Sequence, residues 1–226
     1  MPTSKKWLQE FYEYLKDLLS RIFPEDRKSL ISMIINNETL KTHWVPCFTH
    51  VSANPNPGKN YEAIETIGDA GLGYSFKFYV KNKEPYSEES RISNLNQQYM
   101  SKDFQSKVSK MMKLGEWLIT QGVPSDRMDN SEDLLEALFG TIDKLLFMKK
   151  GTVGLGSIIT YNFMKLLFDK IKFSDEVSKN TEPDRTYVEQ FFSGQAFRMI
   201  EKNQYTDLRR PKEIPEKLWK NIVDEM

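Results

Sequence analysis

The stretch NYEAIETIGDAGL, residues 60–72, sets three acidic residues and two glycines among apolar residues. The longer segment 61–82 fits a half-buried strand through the alternating residues from Tyr74 to Val80. It also fits a helix, because other apolar residues recur three and four positions apart. A single strand cannot form a sheet, and no other segment has comparable strand character. We therefore predict a helix over 61–82.

Helical spacing of apolar residues recurs along most of the chain. The first amphipathic helix begins near Trp7 and ends near Pro24, and the strongest pattern runs from Asp133 to Met148. The fold class that these patterns predict is all-α, without internal repeats. The other predicted helices cover 26–36, 38–50 with a kink at Pro46, two helices within 88–120, and 158–172; the predicted loops cover 52–60, 122–131 and 151–157.

Composition limits the classes of function. With 32 basic and 32 acidic residues the chain has no net charge, so any attraction to nucleic acid depends on local patches. The single cysteine, Cys47, excludes an internal disulfide and a cysteine-cluster metal site, and it fits a small buried residue in a reducing compartment. No stretch approaches the ~20 apolar residues of a membrane span, and the N-terminus lacks the apolar core of a signal peptide. We predict a soluble intracellular protein, cytoplasmic or organellar.

Two pairs of acids are spaced so that each pair shares one face of a helix. Glu65 and Asp69 are four residues apart, and Asp133 and Glu136 are three apart. Like charges at this spacing repel each other unless a cation lies between them. Two packed helices carrying these four carboxylates would make an all-oxygen site suited to Mg²⁺ or Mn²⁺, which hold phosphate oxygens and activate water. A solvated helix face is the alternative interpretation of the same spacing.

Two segments resemble the signatures of the ribonuclease III family. CFTHVSANPNPGKNYEAIETIGDAGLG (47–73) is similar to T-H-x-S, a loop, and N-E-x-L-E-x-L-G-D-A-x-L. EDLLEALFGTI (132–142) is similar to the second acidic motif, A-D-x-x-E-A-x-x-G-x-I. The order and separation of the two motifs agree with the family, and the resemblance covers about 10–172. The matching residues are Thr49, His50, Ser52, Glu62, Ile64, Glu65, Ile67, Gly68, Asp69, Ala70 and Leu72, and then Asp133, Glu136, Ala137, Gly140 and Ile142.

The resemblance implies an all-helical, Mg²⁺-dependent endonuclease domain that cleaves double-stranded RNA as a homodimer. It implies that Glu65, Asp69, Asp133 and Glu136 are the catalytic metal ligands, in a two-metal-ion hydrolysis that leaves a 5′-phosphate and a 3′-hydroxyl. It gives Glu62 a supporting role. For His50 it implies a structural role in orienting the signature helix.

The sequence also departs from the family pattern. Thr66 stands where the family usually has a bulky aromatic residue that enters the partner subunit, and Ala63 stands where it usually has arginine. Gly71 replaces a larger apolar residue. These changes put the usual dimer contact in doubt. They also keep open an alternative, a catalytically inactive structural subunit of a ribonucleoprotein.

The predicted domain organisation is an endonuclease domain over 1–172, a linker over 173–183 and a C-terminal extension over 184–226. We do not expect a complete double-stranded-RNA-binding domain in this extension, and its role is open. RNA duplexes are gripped through phosphates and 2′-hydroxyls, so lysines near the acidic motifs are the candidate contacts. These lysines are Lys77, Lys81, Lys83, Lys107, Lys110, Lys113, Lys149 and Lys150.

Overall fold

The computed structural model describes residues 2–122, 131–170 and 173, and the predicted all-α class is confirmed. Within these residues the only β pairing is an isolated bridge between Thr49 and Ile119. No helix in this part of the chain is long and apolar enough to cross a membrane. The α-helices are α1 (Pro2–Ile22), α2 (Ser29–Ile35), α3 (Glu38–Lys41), α4 (Trp44–Cys47), α5 (Glu62–Lys83), α6 (Glu89–Tyr99), α7 (Lys102–Met111), α8 (Ser131–Lys150) and α9 (Leu155–Phe168).

The ambiguous segment is the long helix α5, as predicted. Its buried apolar side chains, Leu72, Phe76, Tyr79 and Val80, lie three and four residues apart on one face. A strand would have put Phe76 and Tyr79 on opposite faces. Burial of one continuous apolar face therefore decides the conformation of this segment.

Helices α5 and α8 cross with their backbones in direct contact. A Cβ atom added to Gly68 would overlap the backbone carbonyl of Glu136, and one added to Gly140 would overlap the carbonyl oxygen of Ile64. Because the contacting positions descend along α8 as they rise along α5, the two helices run in opposite directions. These two glycines explain why both acidic motifs carry one: a larger residue would hold the acid-bearing helices apart.

Several predicted boundaries are wrong. The predicted helix over 38–50 is two short helices separated at Thr42 and His43, with Pro46 in the first turn of α4, where a missing N–H costs no intrahelical hydrogen bond. The helix predicted over 26–36 begins only at Ser29, after a 3₁₀ turn at Glu25–Arg27. The last predicted helix begins earlier, at Leu155, because the Asp143 carboxylate accepts a hydrogen bond from the Gly156 N–H at 2.9 Å and caps the new helix.

The core is continuous and rich in aromatic residues. Trp7, Phe11 and Tyr14 of α1 pack against the Trp117 ring, with ring centroids 5.1 to 5.9 Å apart. The predicted burial of Cys47 is confirmed. Most of the predicted linker (173–183) and the whole extension (184–226) lie outside the described residues, so the predicted domain boundaries stay predictions.

Candidate metal centre

The four predicted ligands lie around the α5–α8 crossing. Glu65 and Asp69 flank Gly68 on α5, and Gly68 is in contact with the backbone of Glu136 on α8. Asp133 lies almost one turn before Glu136 on the same helix. Glu65, Asp133 and Glu136 are partly buried, whereas Asp69 is exposed. The crossing therefore brings two pairs of acids that are distant in sequence to one place in the fold.

The electrostatics show that these acids act on one another. Burial raises the pKa of Glu136 to about 7, with further contributions from the charges of Asp69, Asp133 and Glu65. Burial also raises the pKa of Glu65 to about 7, and the charges of Asp133 and Glu62 contribute further to this rise. Each of the four predicted ligands thus stands in the field of at least one acid from the other helix. A cation between them would relieve this repulsion.

The acids fit a divalent cation in ligand type and charge, although their carboxylates do not converge on one point. Atom Oε2 of Glu65 is buried and has no hydrogen-bond partner among residues 2–122, 131–170 and 173. Over the same residues, no group of three or more His, Cys, Asp or Glu side chains has an arrangement that could hold a metal ion. Binding of a cation by all four acids would therefore require rotation of their side chains. The ligand set remains a prediction.

His50 lies beside the acids and is tied to the loop that precedes α5. Its Nδ1 accepts a hydrogen bond from the Ser52 N–H at 3.0 Å and lies 2.8 Å from the Ser52 Oγ. Burial lowers the pKa of His50, while the nearby charges of Glu62 and Asp133 oppose that shift. These contacts fit the structural role that the sequence predicts, and they place Glu62 on the border of the acidic cluster.

A polar face on α7 adds residues that the sequence motifs do not include. Gln105, Ser106 and Ser109 are buried although they are polar. The Gln105 side chain lies near the Glu136 carboxyl and partly offsets the rise in the Glu136 pKa. The Gln105 Nε2 also donates to the Met100 carbonyl at 3.2 Å. In the sequence these polar residues already recur three and four positions apart, on a different face of α7 from its apolar residues.

The lysines predicted to contact RNA differ in the contacts and the exposure of their side chains. Lys83 donates to the carbonyl of Phe168 at 2.6 Å and to the Tyr79 hydroxyl at 3.1 Å, so it caps the C-terminus of α9. Lys107 is paired with Asp103 at 2.8 Å. Lys77, Lys149 and Lys150 are exposed. Lys83 therefore has a structural role that the sequence did not indicate.

In metal-free protein, the free energy of unfolding should fall as the pH rises from about 4.5 to about 7. Glu65 and Glu136 have their pKa raised from an ordinary 4.5 to about 7 in the folded state. In this interval the folded protein binds more protons than the unfolded chain, so the contribution of these groups is present below pH 4.5 and lost above 7. Urea unfolding in EDTA at pH values near 5 and 7.5 measures the change. Between these two pH values the Glu136→Gln variant should lose less stability than the wild type. An equal loss would contradict the assignment of this pH dependence to Glu136.

Comparisons with known proteins identify relatives of this fold and site. No family model matches the chain. A Frog virus 3 (isolate Goorha) protein assigned as a ribonuclease 3 is 29% identical over 140 residues, which are 59% of this chain and 37% of that protein. The ribonuclease 3 of Flavobacterium psychrophilum is 26% identical over 141 residues, which are 60% of this chain and 56% of that protein. These relatives support a domain of the ribonuclease III family in this chain. The chain spans between about a third and somewhat over half of the length of these relatives.

Two solved structures of the nuclease domain of ribonuclease III from Campylobacter jejuni are also similar to this chain. Both have a TM-score of 0.48 and 20% sequence identity. The likeness covers 62% of this chain and 99% of the first structure, and 58% of this chain and 88% of the second. One of the two describes structural flexibility in a region involved in dimer formation of the Campylobacter domain.

Proposed function

We propose that this protein is a divalent-metal-dependent endoribonuclease that cleaves double-stranded RNA. The observation that carries the proposal is the meeting of four acids from two motifs at the α5–α8 crossing, where burial and mutual repulsion raise the pKa of Glu65 and Glu136 to about 7. A structural scaffold gains nothing from this arrangement, since like charges without a counter-ion reduce stability. The similarity to two proteins named ribonuclease 3 supports the same reaction class.

The proposed chemistry assigns each acid a role in holding Mg²⁺ or Mn²⁺. Glu65, Asp69, Asp133 and Glu136 would supply carboxylate oxygens, the ligand type that these cations prefer. When bound, the cations would supply an activated water and neutralise charge on the phosphodiester, which would leave a 5′-phosphate and a 3′-hydroxyl. Gln105 would help to position the Glu136 carboxylate, since its side chain lies near that carboxyl and partly offsets the rise in its pKa. His50 would keep the loop before α5 in register, since its backbone N–H donates to the Ile119 carbonyl at 2.9 Å.

Incubation of the purified chain with an end-labelled RNA duplex tests this proposal. With Mg²⁺ we expect internal cleavage of the duplex, and with EDTA we expect none. The single strands of the same sequence serve as controls for duplex preference. A duplex that stays whole across a range of Mg²⁺ and Mn²⁺ concentrations would contradict the proposal and favour the alternative, an inactive structural subunit.

We also propose that two copies of the chain pair through the exposed face of α5. Ile67, Tyr74 and Phe78 lie on this face and are 49%, 59% and 49% exposed, which is unusual for large apolar side chains in a row on one helix. Phe78 also contacts Tyr161 of α9, with ring centroids 5.7 Å apart, so the apolar surface extends onto a second helix. Thr66 is exposed beside Ile67. The contact would therefore rest on Ile67, Tyr74 and Phe78, with no aromatic residue at position 66.

Tyr74→Glu should convert a dimer to a monomer. A charge placed in the middle of an apolar contact would be buried without a partner, which is costly. Sedimentation at micromolar concentration measures the change, with Glu13→Gln on α1 as the control that stays dimeric. A wild type that sediments as a monomer would contradict the proposed dimer.

A further inference from the structure

The second acidic motif of this chain carries an additional acid. The family pattern has alanine immediately before the aspartate that Asp133 matches, and this chain has Glu132 there. Glu132 is only 8% exposed, so its carboxylate is largely removed from water. A buried charge is costly unless it is paired and hydrogen-bonded. The partners of Glu132 therefore indicate why the acid is there.

Both partners of Glu132 come from α7. The buried Ser106 hydroxyl donates a hydrogen bond to Glu132 Oε2 at 2.9 Å. On the outer side, Lys102 Nζ lies 3.5 Å from Glu132 Oε1, and the Lys102 side chain is 84% exposed. Glu132 is thus held by Ser106 from inside the protein and attracts an exposed ammonium group from outside. Ser106, Glu132 and Lys102 form one chain of contacts, which we call the lysine bracket.

The lysine bracket stands next to the acidic cluster. The charges of Glu132, Asp133 and Glu136 all act on the Lys102 ammonium group and raise its pKa. In return, the charge of Lys102 opposes the rise in the Glu65 pKa. Lys102 is therefore a cation at the border of the candidate metal centre, and most of its side chain is accessible to a ligand.

Stability alone does not explain the lysine bracket. An exposed ion pair contributes little, and a buried carboxylate is often less stable than an apolar residue of similar size. Glu132 also adds a negative charge beside acids that already repel one another, since its charge contributes to the raised pKa of Glu65. The alanine of the family pattern would avoid both costs. The remaining effect of Glu132 is to hold a positive charge at this position.

The charges point to a phosphate as the ligand. Glu65, Asp69, Asp133, Glu136 and Glu132, when ionised, carry five negative charges against the single positive charge of Lys102. Two divalent cations would cancel the charges of the four proposed ligands. The Lys102 ammonium has three N–H donors and lies 3.5 Å from Glu132 Oε1, so it could donate to an anion as well. In a nuclease, the anion next to the scissile bond is the adjoining phosphate of the same strand.

We propose that Lys102 binds a phosphate of the substrate strand beside the phosphodiester that is cut, and that Glu132 and Ser106 position it. This inference rests on the proposed nuclease function. Lys102 is a binding residue in this account, and Glu132 and Ser106 are positioning residues. The ligand is a phosphodiester group of the nucleic acid backbone, so this contact does not depend on the base sequence.

Lys102→Met tests the inference through two separate measurements. The KM for duplex RNA should rise about tenfold, and its dependence on salt should weaken by about one counterion. Mn²⁺ binding, measured without RNA, should stay equal or become tighter, because a nearby positive charge has been removed. Lys102→Arg should restore most of the KM, and Lys16→Met, at an exposed position on α1, is the matched control.

A double variant separates phosphate binding from a structural role. In Lys102→Met with Glu132→Gln a neutral amide replaces the carboxylate that Lys102→Met alone would leave without its ion pair. A purely structural defect should therefore disappear, while the raised KM should remain. A wild-type KM in either variant, or weakened Mn²⁺ binding in Lys102→Met, would overturn the inference and leave the proposed nuclease function standing. A wild-type protein that does not cleave would overturn both.

Discussion

Glu136→Gln should lower kcat/KM for duplex RNA by about a thousandfold, equivalent to about 4 kcal/mol of transition-state stabilisation. The side chain keeps its size and its neighbours at the α5–α8 crossing, but it can no longer supply a negative charge to a divalent cation. The fold should be retained. In metal-free protein near neutral pH the variant should be more stable than the wild type, because it removes a carboxyl whose pKa is raised to about 7 by burial and by Asp69, Asp133 and Glu65.

The opposite changes in activity and stability make this prediction specific to a cation site. Substitution of a residue that only supports the fold would lower activity and stability together. Circular dichroism and urea unfolding establish the fold, and single-turnover cleavage gives the rate. Glu13→Gln, at an exposed position on α1, serves as the control and should change neither quantity. Cleavage by Glu136→Gln at a rate within tenfold of the wild type would contradict the assignment.

Gly68→Ala should reduce the free energy of unfolding by about 3 kcal/mol or more, or prevent folding. The added Cβ would overlap the carbonyl group of Glu136, a backbone group that cannot rotate away. The helices would have to separate along a contact that also fixes Gly140 against Ile64. Overpacking that displaces backbone costs about 1–3 kcal/mol and sometimes more, and this contact lies between the two central helices.

A second glycine on the same helix provides the matched control. A Cβ added to Gly73 would meet only the Asn96 Oδ1 at 3.9 Å, an ordinary contact distance. Gly73→Ala should therefore stabilise the protein by about 0.5–1 kcal/mol through helix propensity. Urea unfolding of both variants measures the contrast. Equal effects of the two substitutions would show that the helices do not cross at Gly68.

The sequence predicted the elements on which the site depends, because their signals are local. Helix α5 follows from apolar residues at helical spacing, and the spacing of Glu65, Asp69, Asp133 and Glu136 places each pair on one face. The break between α3 and α4 and the early start of α9 were not predicted. The start of α9 depends on the Asp143 carboxylate of α8, a contact between residues that adjoin only after folding.

The polar face of α7 shows the same limit within the site itself. Gln105, Ser106 and Lys102 look unremarkable in sequence, since polar residues on a helix are usually solvated. The burial of Gln105 and Ser106, and the contact of the exposed Lys102 with Glu132, depend on how α7 packs on α8. The acids could be recognised from the sequence, but the residues that position them required the tertiary structure.

Equilibrium Mn²⁺ binding, measured by the electron paramagnetic resonance signal of free Mn²⁺, tests most directly whether the four acids form a divalent-cation centre. The comparison is between the wild type and the double variant Glu65→Gln with Glu136→Gln, at neutral pH and without RNA. The account predicts saturable Mn²⁺ binding by the wild type and its loss in the folded double variant. Equal binding by the two proteins, or no saturable binding by the wild type, would contradict it.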